Sequence, residues 1–223
     1  MTPSHRSRRW LSRMATAVAV ALGLVASSRG DEEQPARPWL VPEANLPEGF
    51  PPPGPVDEIV VKTYPAHRLA RVRAEGGGNG MFMKLFRHIE RNDITMTAPV
   101  EMSWQGERPE MEHPPAAVGR EPEAMAFLYG KPTIGAAGVD PKDPQVVVED
   151  VPEVKVVSIG LRGGYDKATF DRGAKRLAAW LAEHPKWQAA GGLRSLAYNS
   201  PFVPNIAKYS EVQMPIVPAS PRP

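Results

Sequence analysis

The sequence contains no cysteine. That excludes disulfides, thiolate metal sites, thioether-attached prosthetic groups and a lipidated N-terminal cysteine. Charge of one sign is also lacking, because the formal balance is only +2. Removing residues 1–28, whose charges are Arg6, Arg8, Arg9 and Arg13, leaves 23 basic against 25 acidic side chains, a net of −2. The remaining chain therefore has no electrostatic footprint for nucleic acid. No H-E-x-x-H, G-x-S-x-G or G-K-[ST] motif occurs, and G-x-G-x-x-G after the glycine run fails at Met83. Zincin, serine-hydrolase and P-loop chemistry lose their usual sequence carriers.

The longest apolar run, Met14–Val25, is too short for a confident membrane span, which needs ~20 residues. It follows a basic stretch, Arg6–Arg13, and precedes Ala26-Ser27-Ser28, small residues at −3 and −1 of a cut after Ser28. This is the pattern of an export signal, residues 1–28. Ser7-Arg8-Arg9-Trp10-Leu11 resembles a twin-arginine signal, although paired arginines also occur in ordinary n-regions. The alternative is an uncleaved anchor, the one expected route to a membrane. Either way the domain is expected outside the cytoplasm.

Residues 29–55 are crowded with proline (Pro35, Pro38, Pro42, Pro47, Pro51, Pro52, Pro53, Pro55) and read as a linker without regular structure. Residues 56–217 form the expected domain, and residues 218–223 an expected disordered tail. Ile59–Thr63 and Arg68–Ala74 read as strands. Met81–Val100 is the organising stretch. Phe82, Leu85, Phe86 and Ile89 recur at i, i+3, i+4 and i+7, the inner face of a helix with Asn79 as a cap candidate. Asn92-Asp93 ends it, and Ile94, Met96, Ala98, Val100, Met102 and Trp104 then alternate as the inner face of a strand. Further strands are expected at Met125–Tyr129, Gln145–Val151, Val154–Leu161 and Leu193–Tyr198. The last, Tyr209–Ile216, is expected to have an irregularity between Tyr209 and Val212. A second helix starts at Asp166, buries Phe170, Ala174, Leu177 and Leu181, and stops at His184-Pro185.

The halves resemble each other. Val60/Val147, Pro65/Pro152, Arg68/Lys155, Val72/Ile159 and Gly76-Gly77/Gly163-Gly164 share one offset. The expected fold is α+β: an internally duplicated unit forming a distorted eight-stranded antiparallel β-barrel flanked by two helices.

Several separated pieces resemble the SOUL heme-binding protein family. They are F-x-K-L-F-x-x-I-x-x-N with I-x-M-T-A-P-V at Phe82–Val100, VVVEDVPEVKV at Val146–Val156, and Ala197-Tyr198-Asn199-Ser200-Pro201 followed by Ser210-Glu211-Val212. The resemblance covers about residues 56–216. It implies the barrel just described and non-catalytic binding of heme or a related tetrapyrrole in a shallow apolar groove involving the first helix. Thr63 stands where an imidazole before Tyr64 would offer an axial ligand, so no strong protein ligand to iron is expected.

Heme needs apolar walls, cations for its propionates and sometimes a His, Met or Tyr on iron. On the first helix these are Met81, Met83, Lys84, Leu85, Arg87 and His88. The competing reading makes Lys84, Arg87 and His88 a solvated face. Glu101 and Glu211 read as outward-facing residues of their strands. Two other functions stay open: a module for another amphipathic small molecule on the same fold, or a weak enzyme acting on tetrapyrroles or esters.

Overall fold

The computed structural model describes residues 43–74, 80–104 and 122–219, all within the unit Pro35–Pro223. The export signal, the start of the linker, the Asn79 cap, the glycine run, the loop carrying His113 and the last residues of the tail lie outside them. The strands are β1 (Ile59–Tyr64), β2 (His67–Arg73), β3 (Val100–Ser103), β4 (Ala124–Leu128), β5 (Gly138–Asp140), β6 (Asp143–Val151), β7 (Val154–Arg162), β8 (Trp187–Ala189), β9 (Arg194–Ala197) and β10 (Tyr209–Pro218). The helices are α1 (Met81–Arg91) and α2 (Lys167–Glu183). Among the described residues no helix is long and apolar enough to cross a membrane.

The fold is α+β, but the eight-stranded closed barrel is not what forms. The strands make one open antiparallel sheet of ten, ordered β1-β7-β10-β9-β3-β4-β2-β6-β5, with β8 on β10. The extra two, β5 and β8, are three residues each, too short to show a period in sequence. The sheet is nevertheless curled so that side chains of its inner face converge: Arg194 Cζ on β9 lies 5.7 Å from the Tyr64 ring on β1, three strands away. Exchanging β1, β2, β3 and β4 for β6, β7, β9 and β10 maps the path from β1 to β6 onto its own reverse.

Both helices pack on one face. Phe170, Ala174 and Leu177 of α2 meet Leu161, Val212, Met214 and Ile216. Gly173 makes this approach possible, because a Cβ there would lie 2.6 Å from Val212 Cγ2. Asp166 caps α2 by accepting from Thr169 N–H at 2.8 Å, and His184 N–H closes on Leu181 O. Met81, Leu85 and Ile89 of α1 meet Ala70, Val72, Phe127, Val146 and Val148.

This corrects the inner face of α1. Phe82 and Phe86 remain 37% and 39% exposed, while Met81, Leu85, His88 and Ile89 are buried. The helix is rotated because His88 belongs to the core, its polarity satisfied by partners that apolar periodicity cannot show. Gly80, at φ 108°, opens the helix without a side-chain cap. The strand after it also starts later than expected. Residues 94–99 are irregular, Thr97 turns inward to donate to Leu128 O at 2.6 Å, and Ala98–Pro99 is cis.

The opposite face is lined by Tyr64, Leu69, Ala126, Leu128, Val156, Leu196 and Tyr209, and residues 46–55 lie on it. These residues lack regular structure, as their prolines require. Leu46 and Phe50 nevertheless pack into this layer, Phe50 edge-on to Tyr64 (5.0 Å) and His67 (5.1 Å). Asp57 N–H donates to Gly160 O, and a Cβ on Gly160 would meet Pro55 O at 2.4 Å. The ordered chain thus begins before Val56, and β10 runs through Pro218 opposite Trp187.

Two sequence expectations fail on this inner face. Glu101 and Glu211 are buried, Glu211 completely. The pairing of β10 with β7 is continuous from Tyr209 to Pro215, with no irregularity. Tyr209, Glu211 and Gln213 face inward, whereas Val212, Met214 and Ile216 face α2. A strand covered on both sides lacks the alternation that separates core from solvent.

Glu211 Oε1 accepts from Lys62 Nζ (2.6 Å) and Gly54 N–H (2.6 Å), and its Oε2 from Ser158 (2.9 Å) and Gln213 (2.8 Å). Burial pushes its carboxyl up, but Lys62 and the hydrogen bonds outweigh this and hold it below the usual range. Burial likewise opposes Glu101, which Arg194 (2.7 Å) and Arg71 (3.2 Å) hold down.

Replacing Glu211 by Gln should cost ~3 kcal/mol, because it strands a buried ammonium. Adding Lys62→Met should recover at least half of the loss in urea denaturation. Two carboxylates with depressed pKa values contribute stability that is present above ~4.3 and lost as pH falls through their lower folded values. The urea midpoint should therefore be flat from neutrality to mild acid and drop below that value, and Glu101→Gln/Glu211→Gln should flatten the drop. A midpoint that rises on acidification would contradict the assignment.

Candidate functional site

The apolar residues that α1 leaves outside its core line a groove. Its floor is Val100 and Ala197, which are cross-strand partners. One wall is Phe82, Phe86 and Met96, and the other runs from Tyr198 to Phe202. Glu43 and Ala44 close one rim, and the free volume is ≈ 360 Å³. The Phe82 and Phe86 rings are nearly parallel, 11° apart with centroids at 6.3 Å, and Phe82 is braced edge-on by Phe127 at 5.1 Å. Four residues of helix bring two side chains back to one side, so the pair presents a flat apolar strip.

The far wall is fixed by hydrogen bonds. Asn199 N–H donates to the Tyr165 hydroxyl at 2.8 Å, and Asn199 Oδ1 accepts from Tyr209 N–H at 2.9 Å. Ser200 donates through its N–H (2.7 Å) and hydroxyl (2.6 Å) to Glu43. These bonds hold the Glu43 carboxyl below its ordinary value, so the rim carries an anion. Among the described residues the lining holds no lysine, arginine or histidine.

The six residues singled out on the first helix do not share a surface. Met81 and Leu85 lie in the core beneath α1. Met83 and Arg87 are exposed, and Lys84 reaches Gln145 on β6. None of the six lines the groove.

His88 is buried with both ring nitrogens engaged. Nδ1 is 2.5 Å from Asp140 Oδ2, and Nε2 is 2.7 Å from the Tyr129 hydroxyl. Burial opposes ionisation of Asp140, but hydrogen bonds from His88, Lys142 N–H and Arg91 hold its carboxyl down to about 2. Burial pushes Tyr129 up to about 12. The solvated-face alternative therefore fails for His88, which ties α1 to β5 and has no free nitrogen for iron.

The other two histidines among the described residues are also engaged. His67 is buried on the inner face with Nδ1 2.8 Å from Pro65 O, and burial pushes its pKa down. His184 stacks on Trp180, centroids 4.0 Å apart. Tyr198 lines the groove, but its buried hydroxyl sits among Tyr64, Tyr209 and Glu211, and burial raises its pKa. Met96, expected in the core, packs half-buried against the cluster beneath α1 and also forms part of the groove wall.

Phe82 and Phe86 escape a sequence reading as wall residues because apolar periodicity assigns them to the core. Most of the rest of the lining appears in the sequence only as pieces that carry the family resemblance, not as candidate site residues. The M-T-A-P-V piece and the A-Y-N-S-P piece, far apart in sequence, meet here as floor and wall.

Residues 54–215 match the model described as SOUL heme-binding protein, and the chain belongs to that family. No curated protein matches it. Among solved structures it is similar to the EcmrR C-terminal domain at 13% identity, with a TM-score of 0.51 over 73% of this chain and 98% of that one. It is similar at 10% identity to a hydrolase from Listeria innocua, TM-score 0.52, over 74% of this chain and 94% of that one. At such identities the likeness shows the fold alone.

Replacing His88 by Ala leaves Asp140 and Tyr129 without their partner and should cost ~2–3 kcal/mol in denaturant melts. Ligand titrations of the folded variant should stay within about twofold of the parent, since His88 is outside the groove. A large loss of ligand affinity in a variant of unchanged stability would return His88 to the site.

Proposed function

We propose that this is an exported, non-enzymatic binding protein that carries or sequesters heme or a related tetrapyrrole in the groove between α1 and the loop of residues 198–208. The observation that carries the reading is the flat Phe82–Phe86 strip facing a floor and wall built from the family's own sequence pieces.

The residues fit the hydrocarbon of a macrocycle. The volume is near the lower end of small-molecule sites, ~300–1,000 Å³, so a tetrapyrrole would lie part in and part out, its propionates toward water. Iron would find no imidazole in this lining, and the Met96 thioether is its one soft donor. Bound heme supplies colour and redox chemistry, and the chain supplies apolar contact and orientation. Export rests on the basic and apolar pattern of residues 1–28. The self-reversing strand order supports an internal duplication.

A second reading has its own support. An ionised Glu43 at the rim and a lining without cations favour a planar guest that lacks carboxylates, or carries positive charge, over one with two anionic arms. An enzymatic role draws less, since the lining's carboxylate, Glu43, is committed to Ser200.

Titration with hemin should give a saturable one-to-one Soret shift. Phe82→Ala/Phe86→Ala should weaken it about tenfold or more, the sum of two aromatic contacts and their area. Met83→Ala and Arg87→Ala should change it by less than about twofold. A Soret change that survives the double phenylalanine substitution in a folded variant sinks the groove as the heme site. Tighter binding of a porphyrin diester than of hemin would favour the second reading.

A further inference from the structure

We propose that the loop of residues 198–208 docks this groove onto an anionic lipid surface, with Phe202 and Ile206 entering the bilayer interface. Phe202 is 94% exposed and Ile206 87%, the two most exposed large apolar side chains among the described residues. Single exposed apolar residues are ordinary. These two share one loop, and Phe202 also forms part of the groove wall.

The loop is held, not slack. Val203 is buried, with Val203 N–H on Ser200 O at 3.3 Å, and Ala207 N–H on Pro204 O at 2.8 Å. Arg162 donates to Ala207 O at 2.9 Å. A rigid loop that keeps two apolar tips in water presents them to something that covers them.

Charge indicates what. Three cations stand at the loop's base. Arg162 is bonded to Ala207, Arg172 donates to Arg162 O at 2.8 Å, and Lys208 bonds Asn205 at 2.9 Å. Two carboxylates stand nearby, Asp166 capping α2 and Glu43 holding Ser200, and both keep their charge, so among the groups named the balance is three cations to two anions. Apolar tips beside a basic collar suit the headgroup region of an anionic bilayer.

The chain's own connection agrees. Glu43 is the first described residue and lies on the groove's rim. The apolar run Met14–Val25 is joined to it by residues 26–42, which span at most ~60 Å. An uncleaved run would hold that rim within reach of a membrane. The inference stands whichever planar guest the groove takes. It gives an apolar guest a route from acyl chains to Phe82 and Phe86 that does not cross water.

The absence of cysteine gives a clean test. The full chain carries one cysteine, Ile206→Cys, labelled with an environment-sensitive fluorophore. A control carries it at Val139→Cys, an exposed position on β5. Each is mixed with phosphatidylglycerol-containing vesicles and with neutral phosphatidylcholine vesicles, with and without nitroxide-labelled lipid. The expected result is a blue shift and nitroxide quenching at position 206 on anionic vesicles, lessened by Phe202→Ser and by high salt, with position 139 unchanged. A label at 206 that stays in water, or equal shifts at both positions, overturns the proposal. The first outcome holds even if the chain sediments with vesicles through its N-terminal run, because the label reads the loop alone.

Discussion

One carboxylate without access to water joins parts of the chain that are otherwise far apart. Glu211 gathers the linker through Gly54 N–H, β1 through Lys62, β7 through Ser158 and its own strand through Gln213. Burying a charge costs several kcal/mol, so the site tolerates only an arrangement in which every acceptor lobe is used. That demand is geometric. A slip of β10 by one residue would put Glu211 under α2 and Val212 among the tyrosines. The ion pair therefore adds little net energy and much specificity, fixing how the ends of the sheet curl toward each other. Glu101 does the same on the other side, between Arg71 and Arg194.

The same demand decides where a ligand can go. The curled sheet has an inner face, but Phe50, Leu46, Tyr64, Tyr198 and Tyr209 fill it around Glu211, residues 52–55 lie over the carboxylate, and the opening beside Arg71, Arg73, Val147 and Glu149 holds only ≈ 190 Å³. The larger, apolar opening among the described residues is outside, where α1 leaves Val100 and Ala197 uncovered. Rotating α1 so that His88 faces Asp140 and Tyr129 turns Phe82 and Phe86 toward that gap. A buried polar triad on one side of the helix thus creates an apolar strip on the other. Core and groove are set by one helical rotation.

Much of the fold is legible in the sequence because its signals are local. Asp166, Phe170, Ala174, Leu177 and His184 are cap, stripe and stop of one helix, and each lies where periodicity places it. The strands β1, β2, β6 and β7 are read from alternation, β-branched runs and the Pro turns between them, but not that β1 pairs with β7 and β2 with β6. What escapes is non-local. Glu101 and Glu211 look like solvent residues because their partners, Arg194 and Lys62, are far away in sequence. His88 looks exposed because Asp140 and Tyr129 lie beyond two loops. An apolar moment assigns every phenylalanine to the core, so it cannot distinguish a wall from a floor. Of the candidate site, the helix and both motif pieces are legible, but not which side of the helix faces the guest.

The groove's electrostatics constrain its guest more than its shape does. Apolar walls would accept many flat molecules, and the fold, shared at low identity with proteins of different description, does not choose among them. Charge does. The one ionised group in the lining is Glu43, held as an anion by two donations from Ser200. Were a dianionic tetrapyrrole the guest, as proposed, its acid groups would lie away from that rim. Outside the rim, at the base of the loop that carries Phe202 and Ile206, stand three cations, Arg162 ending β7, Arg172 on α2 and Lys208. On the proposed reading, a guest with an oily body and anionic arms would set its body against Phe82 and Phe86 and its arms away from Glu43. The asymmetry of charge across the groove mouth, more than any single contact, would fix the pose.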